Sequence, residues 1–255
     1  MKPTVTRQAL VDACNSLLQP ERFKDYGPNG LQVEGKPMVA KLVSGVTASR
    51  ELIDAAIEAK ADAIFVHHGL FWRGQDGRVV GWMKERLQRL LAHNINLYAY
   101  HLPLDAHPEL GNNAQLGKVL GLQAHAWCGD QNLVSVGHSL NTHGFQNAEA
   151  LASHVQSVLG RHITCVAPTA KPIQRIAWCS GGAQSYFESA VAEGVDAFIT
   201  GEISEPQAHI AQETGVAFLA CGHHATERYG APAVAAHVAN ALGISHQFID
   251  IHNPA

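Results

Sequence analysis

The spacing of apolar and polar residues predicts helices and strands that alternate along the first half of the chain. Apolar residues recur every three or four positions in the segments predicted as helices, which are Arg7–Leu18, Arg50–Lys60, Gly81–Asn94 and Asn112–Leu120. Short apolar runs are predicted as strands at Lys41–Val46, Ala63–Val66 and Asn96–His101. A loop rich in glycine and proline covers Lys24–Gly35. This alternation is typical of an α/β fold.

The second half of the chain repeats this pattern after a less regular stretch. That stretch, Gln123–Pro172, is expected to hold two strands around a helix at Asn147–Leu159, and the alternation resumes at Arg175. Shifting the sequence by 134 positions places Ala61–Phe65 on Val195–Ile199 without a gap. We therefore predict two related strand-helix-strand units, although units built from Ala, Val and Ile also match by chance.

Composition narrows the class of protein. The 255 residues are 46% hydrophobic and 16% charged, and apolar runs are far shorter than the roughly 20 residues that cross a bilayer. Residues 1–10 show no secretory signal, so a soluble, cytoplasmic protein without membrane partners is expected. The net charge of −4 argues against a protein built to bind nucleic acid backbones.

Cysteine and histidine usage points away from thiolate chemistry and toward imidazole. The five cysteines are scattered singly, which predicts neither a disulfide framework nor a thiolate zinc site. The chain has 16 histidines, a large number for the residue that most often binds metals.

Potential metal ligands follow three predicted strands. Open α/β sheets bind ligands outside the carboxyl ends of their strands, so these side chains are expected at one edge. A shift of 122 places His101 on His223 and Asp105 on Glu227, so each half carries His-x-x-x-carboxylate after a strand. The candidate ligands are His67, His68, His101, Asp105, His223 and Glu227.

Each of these positions also has a simpler interpretation. His67 and His68 can be solvated loop histidines, and Asp105 can cap a helix or turn. Glu227 suits the first turn of a helix, where a negative charge complements the dipole. His107 and Glu109, in the loop after Asp105, are either partners of the ligands or solvated side chains.

The number of candidate ligands favours two metal ions over one. A single catalytic zinc uses three protein ligands and keeps one position open. Adjacent side chains at a strand end diverge, so His67 and His68 are expected to serve different ions, or one ion and a substrate. Two-metal hydrolases use a carboxylate bridge and a shared water or hydroxide, and Glu227 is the candidate bridge. Imidazole and carboxylate ligands admit Zn, Mn, Fe, Co or Ni.

Two glycine-containing turns are further candidates for ligand contact. In the turn at Asp25–Val33, Asn29 either directs its amide at a ligand or belongs to a rigid surface loop. Gly181-Gly182 forms a tight turn that allows a close approach, but two glycines are a weak phosphate signal. The sequence has no Walker loop, no G-x-G-x-x-G and no G-x-S-x-G elbow.

Seven short motifs are distributed along the chain, which are D-Y-G-P-N-G-L-Q-V-E-G (25–35), G-V-T-A-S (45–49), V-H-H-G (66–69), H-L-P-L-D (101–105), G-N-N (111–113), I-T-G-E (199–202) and G-H-H-A-T-E (222–227). Together they resemble the Nif-three-like family of dinuclear metal-centre proteins, also called GTP cyclohydrolase 1 type 2 homologues. The resemblance is greatest to its short bacterial branch of the YbgI type and is weakest across Gln123–Pro172.

This resemblance implies a fold, an assembly and a ligand set. The fold would be two intertwined α/β domains with mixed sheets flanked by helices, the first formed by residues 1–124 and 223–255 and the second by 125–222. The assembly would be a toroidal homohexamer. His68, Asp105 and Glu227 would bind one divalent transition-metal ion, and His67, His223 and Glu227 the other. His101 would be a further ligand or a proton-transfer group.

The leading functional hypothesis is a metal-dependent hydrolase that acts on a nucleotide or a related cyclic amide, with GTP as first candidate. A metal-bridging hydroxide would attack the substrate, and His101 or His224 would transfer protons. A second hypothesis is a non-enzymatic ring that binds a partner or single-stranded nucleic acid, which the acidic charge disfavours. A third is metal storage by additional histidines such as His125, His138, His143 and His154, whose simpler interpretation is ordinary surface residues.

Overall fold

The computed structural model describes residues 3–167 and 170–255 and divides into two compact units. The first unit consists of Met1–Gly111 and Gly230–His252, and the second of Asn112–Tyr229 and Asn253–Ala255. The less regular stretch expected at Gln123–Pro172 includes two residues that lie outside the described part.

Strands and helices alternate through both units, as the sequence predicts. The strands are β1 (Val5–Thr6), β2 (Gly30–Val33), β3 (Met38–Val39), β4 (Lys41–Thr47), β5 (Ala63–His68), β6 (Asn96–Ala99), β7 (Leu122–Cys128), β8 (Val134–Ser139), β9 (Thr164–Val166), β10 (Arg175–Trp178), β11 (Ala197–Thr200), β12 (Ala217–Ala220) and β13 (Ser245–Phe248). The α-helices are α1 (Arg7–Leu18), α2 (Arg50–Glu58), α3 (Gly81–Ala92), α4 (Leu102–Ala106), α5 (Asn112–Leu120), α6 (Ala148–Leu159), α7 (Phe187–Ala192), α8 (Glu205–Thr214), α9 (His223–Glu227) and α10 (Gly230–Leu242).

The sheet of the first unit has helices on both faces. Its order is β13-β4-β5-β6-β2, with β2 antiparallel and the other four strands parallel. Neighbouring residues of a strand face opposite sides, so Phe65 packs with α1 and α10 while Ile64 packs with α2 and α3. Burial on both faces explains why β5 is an uninterrupted apolar run until it reaches His67.

The sheet of the second unit is also mixed. Its order is β7-β8-β10-β11-β12-β9, in which β10, β11 and β12 are parallel and the remaining strands antiparallel to their neighbours. Trp178 and Ile199 pack with α5 and α6 on one face. On the other face, Phe198 lies 5.8 Å from Phe187 and 5.7 Å from Phe218 between ring centroids. The predicted fold class, mixed sheets flanked by helices, is confirmed.

The limits of the units differ from those expected from the sequence at 124/125 and 222/223. They lie at 111/112 and 229/230 instead. Helix α5 belongs to the second unit because Trp178 donates from Nε1 to the Asn113 carbonyl at 2.9 Å, and Gly117 packs against the same ring. Helix α9 belongs there because the Gly181 amide donates to Thr226 Oγ1 at 2.9 Å.

The structure contains the pseudo-repeat that a shift of 134 positions predicts. Asp62 Oδ2 accepts the backbone amides of Ala40 and Lys41 at 2.9 and 3.1 Å. Asp196 Oδ2 accepts the two amides 134 positions further on, those of Gln174 and Arg175, at 2.9 and 2.8 Å. An aspartate at the equivalent position therefore accepts two amides at the amino end of a parallel strand in each unit.

The register of the third parallel strand corrects one part of the repeat. Ala63 pairs with Asn96 in the first unit, and Ala197 pairs with Ala217 in the second. These strands therefore correspond at a shift of 121, so His101 falls on Gly222 rather than on His223. The pairing expected at 122 matches residue types but is displaced by one position along the backbone.

Three further expectations from the sequence concern the end of one strand, the cysteines and membrane-spanning segments. The strand expected at Asn96–His101 ends at Ala99, because His101 already begins the turn into α4. None of the five cysteines forms a disulfide within the described residues, and Cys14, Cys179 and Cys221 are buried. Within residues 3–167 and 170–255, no helix combines the length and apolar character needed to span a membrane.

Replacing Asp62 with Ala is expected to reduce the free energy of unfolding by about 1–2 kcal/mol at pH 7, because two backbone amides lose a charged acceptor. Burial alone would raise the pKa of Asp62, but hydrogen bonds from Lys36 and from the Ala40 and Lys41 amides lower it. Since the folded pKa lies below the unfolded value of about 3.9, the contribution is present above that value and is lost as the pH falls.

Urea denaturation between pH 3 and pH 7 measures this loss. The difference between the wild type and Asp62→Ala should shrink toward pH 3, while replacing the exposed Asp12 of α1 with Ala should change the stability little at any pH. An equal difference at pH 3 and pH 7 would show that the ionised carboxylate is not the stabilising group.

Candidate metal centre

Two adjacent histidines end the central strand of the first unit. His67 is fully buried, and its Nδ1 lies 3.2 Å from the Tyr100 carbonyl, which can only accept a hydrogen bond. The proton of a neutral His67 ring is therefore on Nδ1, and Nε2 carries the lone pair. That Nε2 lies 3.5 Å from Asp105 Oδ1. His68 is half-buried, with Nδ1 3.1 Å from Thr47 Oγ1.

The rings of His67 and His68 do not diverge, contrary to the expectation for neighbours at a strand end. Their centroids lie 4.4 Å apart, and the ring planes are tilted by 43°. A third ring, His101, lies 5.0 Å from His67. One nitrogen from each ring falls within a set whose members are all within 4.8 Å of one another.

Asp25 fixes the orientation of His101. Its Oδ1 accepts from His101 Nδ1 at 2.7 Å, and its Oδ2 accepts from the Leu102 amide at 2.9 Å. Asn29 completes the arrangement, since its Oδ1 accepts the His101 amide at 2.7 Å and its Nδ2 donates to Asp25. The Asn29 side chain therefore makes hydrogen bonds within the protein, which agrees with the interpretation of Asp25–Val33 as a rigid loop.

The charge of Asp25 is favoured by these donors. Burial would raise the pKa of its carboxyl group, but the hydrogen bond and charge of His101, with the amides of Asn29 and Tyr26, lower the pKa below its usual value. Two aromatic side chains flank the same imidazole edge-on, with centroid distances of 5.0 Å for Trp72 and 6.0 Å for Tyr26. His101 is therefore held by its backbone, its ring nitrogen and its ring edges.

Asp105 lies inside α4 rather than at its cap. The N-cap residue of that helix is His101, and Asp105 is 8% exposed. His107 has a local role, because its Nδ1 accepts the amides of Leu110 at 3.1 Å and Glu109 at 3.3 Å. The structure thus separates Asp105, which faces His67, from His107, which closes a turn.

The second unit places His223 between two carboxylates. His223 Nδ1 lies 2.6 Å from Glu202 Oε1, and Nε2 lies 3.2 Å from Glu227 Oε2. His223 and Glu227 occupy the first and last positions of α9, four residues apart on one face. Partial burial would lower the pKa of His223, but Glu227 and Glu202 outweigh it and raise the pKa to about 9.

Gly181 makes room for the Glu227 carboxylate. A Cβ at Gly181 would lie 2.0 Å from Glu227 Oε1 and 3.2 Å from His223 Nε2, and the φ angle of Gly181 is +70°. The turn is closed by Thr200 Oγ1, which donates to the Gly181 carbonyl at 3.1 Å. The close approach expected at this glycine pair is therefore that of the protein's own carboxylate, which is 3% exposed.

Two residues of this region were not distinguished by their sequence pattern. Asp25 and Glu202 lie in the motifs D-Y-G-P-N-G and I-T-G-E, but nothing in either motif shows that its carboxylate holds a histidine.

His224, a candidate for proton transfer, is 9% exposed, and its backbone amide donates to the Ala255 carbonyl at 3.2 Å.

The donor set of each unit fits a divalent transition metal. His67, His101 and His223 each have Nδ1 on a protein oxygen, which is the usual arrangement of histidines that bind a metal through Nε2. Imidazole nitrogen and carboxylate oxygen suit Zn, Mn, Fe, Co and Ni, and a metal on His223 Nε2 would replace a proton there.

Comparison with known proteins identifies the family. Residues 5–254 match the profile of Duf34/NIF3 (NGG1p interacting factor 3). This chain belongs to the Duf34/NIF3 family. A protein of Neisseria meningitidis serogroup A, named GTP cyclohydrolase 1 type 2 homolog, is 50% identical over 98% of this chain and 100% of its own. A protein of Escherichia coli K12 with the same name is 47% identical over the full length of both chains.

Solved structures of Duf34/NIF3 relatives have the same fold. Protein ybgI, described as of unknown function, superposes with a TM-score of 0.94 at 46% identity and covers 98% of this chain and 100% of its own. A protein of Thermus thermophilus superposes with a TM-score of 0.88 at 32% identity, with the same coverage. The resemblance stated from the motifs is therefore confirmed.

Gly181→Ala is expected to displace Glu227, and Gly194→Ala provides a matched control. Both glycines have φ near +70°, but a Cβ at Gly194 meets no atom of the described residues within 4 Å. Backbone strain should cost each variant about 1–2 kcal/mol. The clash with Glu227 should cost Gly181→Ala about 1–3 kcal/mol more.

The free energy of unfolding of both metal-free variants measures this difference, and metal content after reconstitution gives a second readout. We expect metal content to fall only in Gly181→Ala. Equal stability and equal metal content in the two variants would show that Gly181 does not shape the position of Glu227.

Proposed function

We propose that this Duf34/NIF3 protein is a dinuclear metal-dependent hydrolase that acts on a nucleotide or a related cyclic amide, with GTP as the first substrate to test. The observation that carries the proposal is the shared arrangement of His67, His101 and His223. Each has one ring nitrogen on a protein oxygen, and His67 and His223 each have a carboxylate beside the other nitrogen. The name of the curated relatives agrees with this proposal.

The proposed ligand set follows the family resemblance. His68, Asp105 and Glu227 would hold one ion, and His67, His223 and Glu227 would hold the other. Support comes from each unit by itself: Asp105 lies beside His67 in the first, and Glu227 beside His223 in the second. Two such ions would supply an activated water and polarise the bond to be cleaved.

The residues around the ions would orient the substrate and move protons. Opening a purine ring requires water at an electron-poor carbon and a proton on the departing nitrogen. His101 suits proton transfer because Asp25 fixes its ring through Nδ1, and one of its ring nitrogens lies within 4.8 Å of a nitrogen of His67 and of His68. His224 is the second candidate in sequence, but its burial favours His101 for contact with substrate. A homohexameric assembly, as the resemblance implies, forms part of the proposal.

Glu227→Gln tests the mechanism, and Glu205→Gln is its matched control. Glu205 also pairs with a histidine four residues away, but on an exposed face of α8. Glutamine keeps the size of the side chain and removes the charge that a bridge between two cations needs. We expect Glu227→Gln to lose metal and at least about 100-fold in kcat/KM, which corresponds to roughly 2.7 kcal/mol of transition-state stabilisation.

The measurement is hydrolysis of GTP and a panel of other nucleotides by metal-loaded protein, with metal content determined on the same samples. The control variant should stay within about twofold of the wild type on both readouts. Retained turnover in Glu227→Gln would exclude the proposed role of this carboxylate.

A further inference from the structure

Arg161 lies over the backbone that leads into α9. It follows Gly160, the left-handed residue that ends α6, and precedes β9. A Cβ at Gly222 would lie 1.9 Å from Arg161 Nη1 and 2.4 Å from its Cζ, so the guanidinium covers the Cα of Gly222. Its charge also acts on Cys221, whose thiol pKa burial raises and Arg161 opposes.

Hydrogen bonds hold the two backbone segments that lie next to Arg161. Gly222 has a φ of +95°, and its amide donates to the Gly201 carbonyl at 2.8 Å. The end of α6 is held from the other side, because Arg228 Nη2 donates to the Leu159 carbonyl at 3.2 Å. The guanidinium is thus placed beside the residue that immediately precedes His223.

Arg161 has no carboxylate partner among residues 3–167 and 170–255. Within this described part of the chain, its one hydrogen bond is from Nε to the His162 carbonyl at 3.3 Å, and the residue is half-buried. Glu202 and Glu227, the carboxylates beside His223, contact that histidine and not Arg161. A guanidinium has five N–H donors, so four of them make no hydrogen bond with a described residue.

We propose that Arg161 binds a phosphate group of the substrate. The planar guanidinium matches two phosphate oxygens at once, and partial burial strengthens a charge-assisted pair. The inference rests on the proposed function, because it assigns a phosphorylated small molecule to the site that contains His223 and Glu227. A single arginine contacting a distant glycine leaves no sequence motif, which explains why no phosphate-binding pattern is present.

Titration with inorganic phosphate, followed by calorimetry, tests the assignment in metal-free and metal-loaded protein. Arg161→Gln should weaken phosphate binding at least about tenfold in both forms, without changing metal content. Arg50→Gln, which removes an exposed arginine from α2 of the first unit, should bind phosphate within about twofold of the wild type. Acetate should bind the wild type at least about tenfold more weakly than phosphate.

A second measurement avoids any effect of the substitution on folding. Phosphate should protect Arg161 of the wild type from modification by phenylglyoxal, as mapped by peptide mass spectrometry, and should leave Arg50 unprotected. Unchanged phosphate affinity in Arg161→Gln, equal affinity for acetate, or absence of protection would each overturn the assignment. The metal-free arm decides this question even if the wild type proves to bind no metal, which would refute the proposed function alone.

Discussion

A histidine that binds a metal through one ring nitrogen needs an acceptor for the other, and the candidate centre depends on this constraint. The Tyr100 carbonyl, Asp25 and Glu202 provide that acceptor for His67, His101 and His223. Each contact fixes both the tautomer and the direction of the ring before an ion arrives. The conformational entropy that metal binding would otherwise cost is therefore lost already on folding.

The amino and carboxyl ends of the parallel strands in each mixed sheet contribute differently, the first to stability and the second to the candidate metal centre. At the amino ends, Asp62 and Asp196 accept the same pair of strand amides in their respective units. At the carboxyl ends, the strands end in the polar residues of the candidate centre, as in other open α/β sheets. Substitution at an amino end should therefore change stability while leaving the arrangement of the ligands intact.

Much of the fold could be predicted because periodicity is a local property. The helices Arg7–Leu18 and Asn112–Leu120 have the limits that the spacing of their apolar residues predicts. The repeat at 134 positions was detectable since both copies keep the same order of strand, helix and strand. Its continuation at 122 was displaced by one, because residue identity does not reveal strand register.

The contacts that the sequence did not reveal join segments far apart in the chain. Asp25 and His101 are separated by 76 positions, and Glu202 and His223 by 21. The contact between Arg161 and Gly222 belongs to the same class, because it depends on where α6 ends and on the conformation of a single glycine. The residue types of the candidate ligands were predictable from their places after strands, whereas the residues that orient them required the fold.

We propose that the histidines and carboxylates of the candidate centre in this Duf34/NIF3 chain bind two metal ions. The most direct test is the metal content per chain, measured by plasma mass spectrometry on protein purified without added metal and again after incubation with Zn, Mn or Fe. We expect about two transition-metal ions per chain, as a two-metal hydrolase requires. A value near zero that none of these metals restores would contradict it.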